Sequence, residues 1–442
     1  LTKEERRIRA ELVLSNFGQV VTLSGHSSEP CIHPSEDSLS VIQNSDSKRI
    51  VIASSEGRIC YIGRESDIRQ YVDTSSAIEV DCKQSLVTPG FVDSHTHAIF
   101  AGSREEELEL KVKGVPYLEI LKHGGGILKT VSQTRKASDE EIIEQTRRRL
   151  SRMLASGTTT FEVKSGYGLC VETETRLLEI LSYLREVKGF DIESTLLSAH
   201  AIPEEYKDRR REYIKEVVRE TIEIASKRRL ATFCDVFLEK GVFEPEEARE
   251  ILNFSTEKGL LPKVHADEFS DLGGSEFAAR MNVVSADHLL YASRNGLEAL
   301  AGRKIPCVLL PGTSLSSFVG LYANARELFD LGGVVALGTD LSPNSWIESM
   351  QFVISLACYG MRMTPAECLV AATVNSAHAI RRADDVGSLE VGKSLDAIVF
   401  DLENYREIPY RISSDCIKKV IKRGKVVIDR DLGTPSAGNH YS

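Results

Sequence analysis

Between residues 88 and 380, short apolar runs alternate with amphipathic stretches, and this alternation restricts the fold more than any other feature of the chain. The runs at 158–164, 194–200, 233–238, 261–266, 284–288, 305–310 and 333–340 read as strands. Helical patterns fill the gaps, at 138–154, 172–188, 210–228, 245–258 and 275–281. Ser138 followed by Glu141 has the spacing of a capping box. The run from Val87 to His97 supplies one more strand, so the count reaches eight. Eight strands with helices between them predict an α/β fold, a (β/α)8 TIM barrel. An open doubly wound sheet is the alternative, but the glycine-rich nucleotide loop that would support it is missing from the sequence.

Both ends of the chain read differently. Residues 10–86 and 387–429 hold short strands and turns, with 24–47 as a long polar loop. Neither end is long enough to bury a core alone. Together they predict one small β-sandwich-like domain, with the chain divided as 1–86, 87–380 and 381–442. A helix opened by Thr364 is expected to run through His378, which reads as a packing residue.

Ionisable residues stand at the C-terminal ends of the barrel strands, where a barrel gathers its active site. His95 and His97 end the first strand, Lys164 the second, His200 the third, His265 the fifth, His288 the sixth and Asp340 the eighth. With period 2, His95 and His97 face the same side. His95, His97, His265 and Asp340 form the strongest metal set. Imidazoles with one carboxylate suit a divalent ion, Zn2+ or Fe2+. His288 is a further ligand or an acid–base group. Glu268, three residues after His265, can orient water or protonate a leaving nitrogen. Lys164 invites a second reading, since a carboxylated lysine can bridge two metals. Arg104, with Tyr117 and Tyr167, can receive a substrate carboxylate.

A formal net charge of -10 disfavours nucleic acid and acidic membrane surfaces. Nine scattered cysteines without a CxxC pair favour a reducing compartment. The stretch Leu1-Thr2-Lys3-Glu4-Glu5-Arg6-Arg7 lacks a signal peptide's apolar core, and no run of 18 apolar residues occurs, so a cytoplasmic protein is expected.

Several motifs carry a closer resemblance. PGFVDSHTHAIFAGSRE (89–105), GGGILKTV (124–131), EVKSGYGL (162–169), SAHAIPEEYKDRRREYI (198–214), VHADEFSDLGGSE (264–276), VSADHL (284–289), LGTDLSP (337–343) and VGSLEVGKSLDAIVF (386–400) resemble the amidohydrolase superfamily. Within it they are most similar to the imidazolonepropionase family of histidine degradation. The resemblance implies one metal on His95, His97, His265 and Asp340. It also implies hydrolysis of 4-imidazolone-5-propanoate, a carboxylate-bearing cyclic amide, to N-formimino-L-glutamate. It places Arg104, Tyr117, Tyr167, His200 and Glu268 at the substrate, with His288 near the metal. It further implies a cytoplasmic homodimer, and it makes Lys164 a residue that bridges no metals. In the mechanism that follows, Glu268 and His288 position water and substrate. Asp340 shuttles a proton to the leaving nitrogen, and His200 helps to stabilise the oxyanion. Two segments depart from the family pattern. Asp340-Leu341-Ser342-Pro343-Asn344 replaces Asp-x-Asn-Pro-Gly, and Pro311-Gly312-Thr313-Ser314-Leu315 is more polar than usual. Another cyclic amidohydrolase, or a purine or pyrimidine aminohydrolase, is the nearest competing expectation. A non-catalytic barrel serving as an interaction protein is the more distant one.

Overall fold

The computed structural model describes residues 7–45, 49–115, 119 and 125–431. Among them, eight strands lie side by side in chain order. They are β1 (Phe91–Asp93), β2 (Thr158–Lys164), β3 (Ile192–Ala199), β4 (Phe233–Leu238), β5 (Leu261–Ala266), β6 (Ala286–His288), β7 (Pro306–Leu309) and β8 (Val334–Leu337). Every neighbouring pair is parallel, as short connections through helices require. The expected capping box opens the helix Asp139–Ala155, with Ser138 and Glu141 as its two members. Beyond the strands, β8 and β1 are drawn together. The Asp340 N–H donates to His95 O at 3.0 Å, and the His97 N–H donates to Leu341 O at 2.9 Å. Asp93 accepts both the backbone N–H and the hydroxyl of Thr339, at 3.0 and 2.6 Å. The fold is the expected (β/α)8 barrel, and two more sheets stand beside it.

Strands from both chain ends interleave in those sheets. A six-stranded sheet runs in the order Lys425–Asp429, Ile417–Lys422, Ala397–Phe400, Leu86–Pro89, Gln19–Val21, Val41–Gln43. A four-stranded sheet holds Arg58–Arg64, Ile50–Ser55, Leu12–Ser15 and Ile78–Asp81. Leu12, Leu14 and Ile52 of the smaller sheet pack with Val20, Val87, Val399 and Ile421 of the larger in one core. Inward and outward positions alternate along these strands, which is the packing of a sandwich.

Three local expectations are corrected. The run from Val87 to His97 is two strands, not one. Leu86–Pro89 pairs with Ala397–Phe400, whereas Phe91–Asp93 opens the barrel. Gly90 sits at the handover. Its N–H donates to Asp396 O at 2.9 Å, and any β-carbon there would collide with the Thr159 side chain. Val41–Gln43, within the segment read as loop, is a strand at the edge of the six-stranded sheet, where it pairs with Gln19–Val21. The helix after Thr364 breaks in two, as Pro365–Ala371 and Val374–Ala379. The Thr373 hydroxyl back-bonds to Leu369 O, a competitor to helix continuation. No described helix is long and apolar enough to cross a membrane.

Ions fasten the barrel to the six-stranded sheet. Asp191, just before β3, is 2.7 Å from Lys422 Nζ and 3.0 Å from Arg382 Nη1. Lys422 also meets Asp396 at 2.5 Å. Burial opposes the Asp191 charge, but Lys422 and Arg382 hold its carboxyl below the usual range. A carboxyl lowered on folding stabilises the protein above its unfolded value near 4, and loses that contribution as pH falls. Asp191→Asn is therefore expected to cost about 3–5 kcal/mol near neutral pH. Thermal melts of both proteins should show the gap narrowing as pH is lowered towards about 3.

Candidate active site

The side chains at the C-terminal ends of the barrel strands converge. His95 and His97 follow β1, in the segment that also closes the barrel. Their Nε2 atoms are 3.2 Å apart, and His265 Nε2, from β5, lies 3.4 Å from His97 Nε2. Asp340 Oδ1 is 3.5 Å from His95 Nε2 and 3.4 Å from His97 Nε2. All four residues are buried. A tetrahedron of ligands about 2.0–2.1 Å from a central ion has edges of about 3.3–3.4 Å. The measured separations match that edge, so the donor set fits one divalent ion. His288 Nε2 or Nδ1 joins His95 and His265 in a second ligating group that overlaps the first.

Tautomers agree with this fit. The His95 Nδ1–H donates to Asp287 Oδ2 at 2.7 Å, which leaves a lone pair on Nε2. His265 Nδ1 stands 3.0 Å from Asp235 Oδ2. Burial lowers the pKa values of His95 and His97 well below the ordinary range, and neighbouring cations add to the effect. Both rings are thus neutral, the form that ligates metal. Asp340 directs its other oxygen, Oδ2, to the Thr313 hydroxyl at 2.5 Å. Burial raises its pKa to about 6, against the Thr313 bond. Asp340 and His288 both hold left-handed backbone angles, φ 51° and 77°. Non-glycine residues in that region are strained, and such strain gathers where geometry is demanded.

Beneath the imidazoles lies a group of charges that the strand-end search missed. Lys164 Nζ is 2.7 Å from Glu162 Oε1, 2.8 Å from Asp235 Oδ2 and 3.6 Å from Asp287 Oδ2. Lys263 Nζ is 3.2 Å from Ser94 O and 3.4 Å from Glu162 Oε1. Burial disfavours the Lys164 charge, but Asp235, Glu162 and Asp287 raise its pKa above the ordinary lysine value. An ammonium so held has no lone pair for carboxylation, which removes the bridging-lysine reading. Sequence offered a signal for these residues. Glu162 stands two before Lys164, and Lys263 two before His265, so period 2 turns each pair to the same side.

The remaining candidates surround the four ligating side chains. Glu268 Oε2 is 3.4 Å from His288 Nε2. Burial, then Asp340 and Glu239, raise the Glu268 pKa well above the carboxylate range. The His200 ring stacks on His97 with centroids 4.9 Å apart and planes at 15°. Tyr167 lies 5.4 Å from His200 and 6.0 Å from His97, between ring centroids. Arg104 is buried, with Nε 3.1 Å from Glu107 Oε2 and Nη2 3.1 Å from Asn344 Oδ1. Tyr117 lies outside the described residues. An apolar-walled cavity opens beside Glu268 and His288, lined also by Leu310, Thr313, Ser317 and Met361.

The amidohydrolase family pattern matches residues 86–427, the span that contains every one of these side chains. Imidazolonepropionase of Alkaliphilus oremlandii (strain OhILAs) is 42% identical over 418 residues, covering 94% of this chain and 98% of the relative. That of Geobacillus kaustophilus (strain HTA426) is 44% identical over 414 residues, covering 93% and 96%. The chain belongs to the amidohydrolase family, in its imidazolonepropionase group. Solved amidohydrolase-like structures share its fold at much lower identity. A zinc-bound adenosine deaminase from Xanthomonas campestris matches with a TM-score of 0.69 at 18% identity, covering 96% of this chain and 94% of that one. A 5-methylcytosine deaminase from Klebsiella pneumoniae reaches 0.71 at 16% identity, covering 95% and 98%.

For this amidohydrolase the carboxylates behind the imidazoles set metal affinity. Asp287→Asn removes the acceptor that orients His95. The variant is expected to hold a divalent metal about 10- to 100-fold more weakly, measured by competition with a chelator.

Proposed function

We propose that this protein is a metal-dependent imidazolonepropionase, which opens the ring of 4-imidazolone-5-propanoate by hydrolysis to N-formimino-L-glutamate. The observation that carries the reading is identity of 42–44% to imidazolonepropionases across nearly the whole chain. The clustered imidazoles, Asp340 and Arg104 are chemically consistent with it. The deaminase likenesses, at 16–18% identity, speak for the fold alone and do not favour a purine or pyrimidine substrate.

His95, His97, His265 and Asp340 would hold one zinc or iron(II) ion, since three nitrogens and a carboxylate suit either. The ion supplies Lewis acidity, acidifying water and polarising a carbonyl. The protein's own groups do the rest. Arg104 and Tyr167 bind the propionate arm and fix the ring over the cluster. Glu268 and His288, 3.4 Å apart, orient the attacking water and the ring carbonyl carbon. Asp340 accepts the proton released as the new C–O bond forms, and returns it to the ring nitrogen as the C–N bond breaks.

His200 takes a polarity opposite to the one first expected. Its Nδ1 lies 3.1 Å from Gly166 O, which can only accept, so Nδ1 carries the proton. Burial lowers its pKa to about 3, so the ring is neutral and Nε2 bears a lone pair. Such a nitrogen cannot donate to an oxyanion. It accepts an N–H of the imidazolone ring, and so reads the substrate rather than the transition-state charge. In solution the protein is taken to be a cytoplasmic homodimer, the state the family resemblance implies.

Turnover of freshly generated imidazolonepropionate by metal-replete protein, with metal analysis of the same sample, tests the reading. One equivalent of zinc or iron with ring opening is expected, and metal-replete protein without turnover would refute it. His95→Ala should lose the metal and lower kcat/KM by at least about 1,000-fold. Arg104→Gln should raise KM for imidazolonepropionate about 10- to 100-fold.

A further inference from the structure

One oxygen of the altered loop after β8 lies between two cations. Asn344 Oδ1 accepts from Arg104 Nη2 at 3.1 Å and from Lys111 Nζ at 2.7 Å. Lys111 belongs to the helix α1 (Glu106–Val112), which follows Arg104 directly. Its other contacts are backbone carbonyls, Asn344 O at 3.3 Å and Ser316 O at 3.5 Å. Glu107 compensates Arg104, and its second oxygen takes the Gly126 N–H at 2.7 Å. No carboxylate in ion-pair contact with Lys111 is found among the described residues. Two cations and one carboxylate leave this spot with one uncompensated positive charge, half out of water. Burial and the neighbouring Arg104 both press on the Lys111 ammonium, lowering its pKa. An arrangement of this kind is completed by an anion.

The spot adjoins the reaction site. Asn344 Nδ2 donates to Ser317 Oγ at 3.3 Å, and Ser317 lines the cavity that holds Glu268 and His288. Asn344 also stands four residues beyond Asp340 in the same loop. A carboxylate brought by a ring bound in that cavity has the charge that Asn344 Oδ1 lacks.

We infer that Lys111 is a second substrate-binding cation, which with Arg104 receives the carboxylate of the substrate, and that Asn344 is a positioning residue that holds the two cations side by side. The carboxylate displaces the Asn344 amide oxygen and meets a guanidinium with one oxygen and an ammonium with the other. The lysine reaches the site from α1, so the helix after the His95-Thr96-His97 segment becomes part of substrate selection. This inference rests on the imidazolonepropionase reading, and its test separates the two.

The test uses metal-replete protein and two measurements. The first is steady-state turnover of imidazolonepropionate. The second is calorimetric binding of imidazole-4-propionate, a stable ring bearing the same arm, which needs no turnover. Lys111→Met should raise KM and the Kd of the analogue about 10- to 100-fold, the worth of one charged hydrogen bond, with kcat reduced at most about threefold. Lys111→Arg should restore both constants to within about fivefold of the parent. Asn344→Asp places a permanent carboxylate between the cations and should weaken the analogue at least as much as Lys111→Met. Lys113→Met, on the same helix but paired with Glu109 in solvent, is the control and should change neither constant. Thermal melts check that each variant is folded. Unaltered KM and Kd in folded Lys111→Met would overturn the inference, and so would an equal loss with the Lys113 control. Parent protein that binds the analogue through Lys111 but opens no imidazolonepropionate ring would defeat the functional reading and leave the anion site standing.

Discussion

Charge buried inside the barrel is the constraint on which the site depends. Lys164 and Lys263 share Glu162, and Lys164 also meets Asp235 and Asp287. None of these groups reaches water. Any one of them left alone would carry a desolvation cost of several kcal/mol, so they persist only as a set. The set has a direction. Its outermost carboxylate oxygens, Asp287 Oδ2 and Asp235 Oδ2, face His95 Nδ1 and His265 Nδ1. The lysines hold the aspartates, the aspartates hold the imidazoles, and the Nε2 atoms are left pointing at one another. Rings gathered at 3.2–3.4 Å between bare nitrogens make sense only around a shared positive centre.

A second set of ions acts at the opposite end of the strands. Asp191, Lys422, Arg382 and Asp396 tie the start of β3 to the six-stranded sheet. The two networks divide the work of the barrel as its geometry suggests, with stability at the N-terminal ends of strands and chemistry at the C-terminal ends.

Much of this was legible in the sequence, for a physical reason. Strand ends in a barrel point to one mouth, so residue type at a strand end predicts company in space. His95, His97, His265, His288 and Asp340 meet as that rule requires. The rule is blind to charges within strands. Asp235 lies in the middle of Phe-Cys-Asp-Val-Phe-Leu, where an apolar run reads as plain core. It is equally blind to hydrogen-bond polarity. The role of His200 turned on the carbonyl of Gly166, a partner 34 residues away that no motif announces. The division of the Val87–His97 run failed for a related reason. Apolarity marks both halves as strand, and only the contact between Gly90 and Thr159 shows that the chain changes sheets there.

That change of sheets links the site to the order in which the chain is made. Leu86–Pro89 pairs with Ala397–Phe400, and the latter with Ile417–Lys422. One residue separates Leu86–Pro89 from β1, whose continuation carries His95 and His97. On a ribosome the two histidines emerge early, but the strands that anchor their approach emerge more than 300 residues later. Metal-binding groups are thus made long before the sheet that holds them rigid, and a nascent chain cannot own a finished centre. Completion of the hydrolytic site doubles as a check that synthesis has run through to the last strands of the six-stranded sheet.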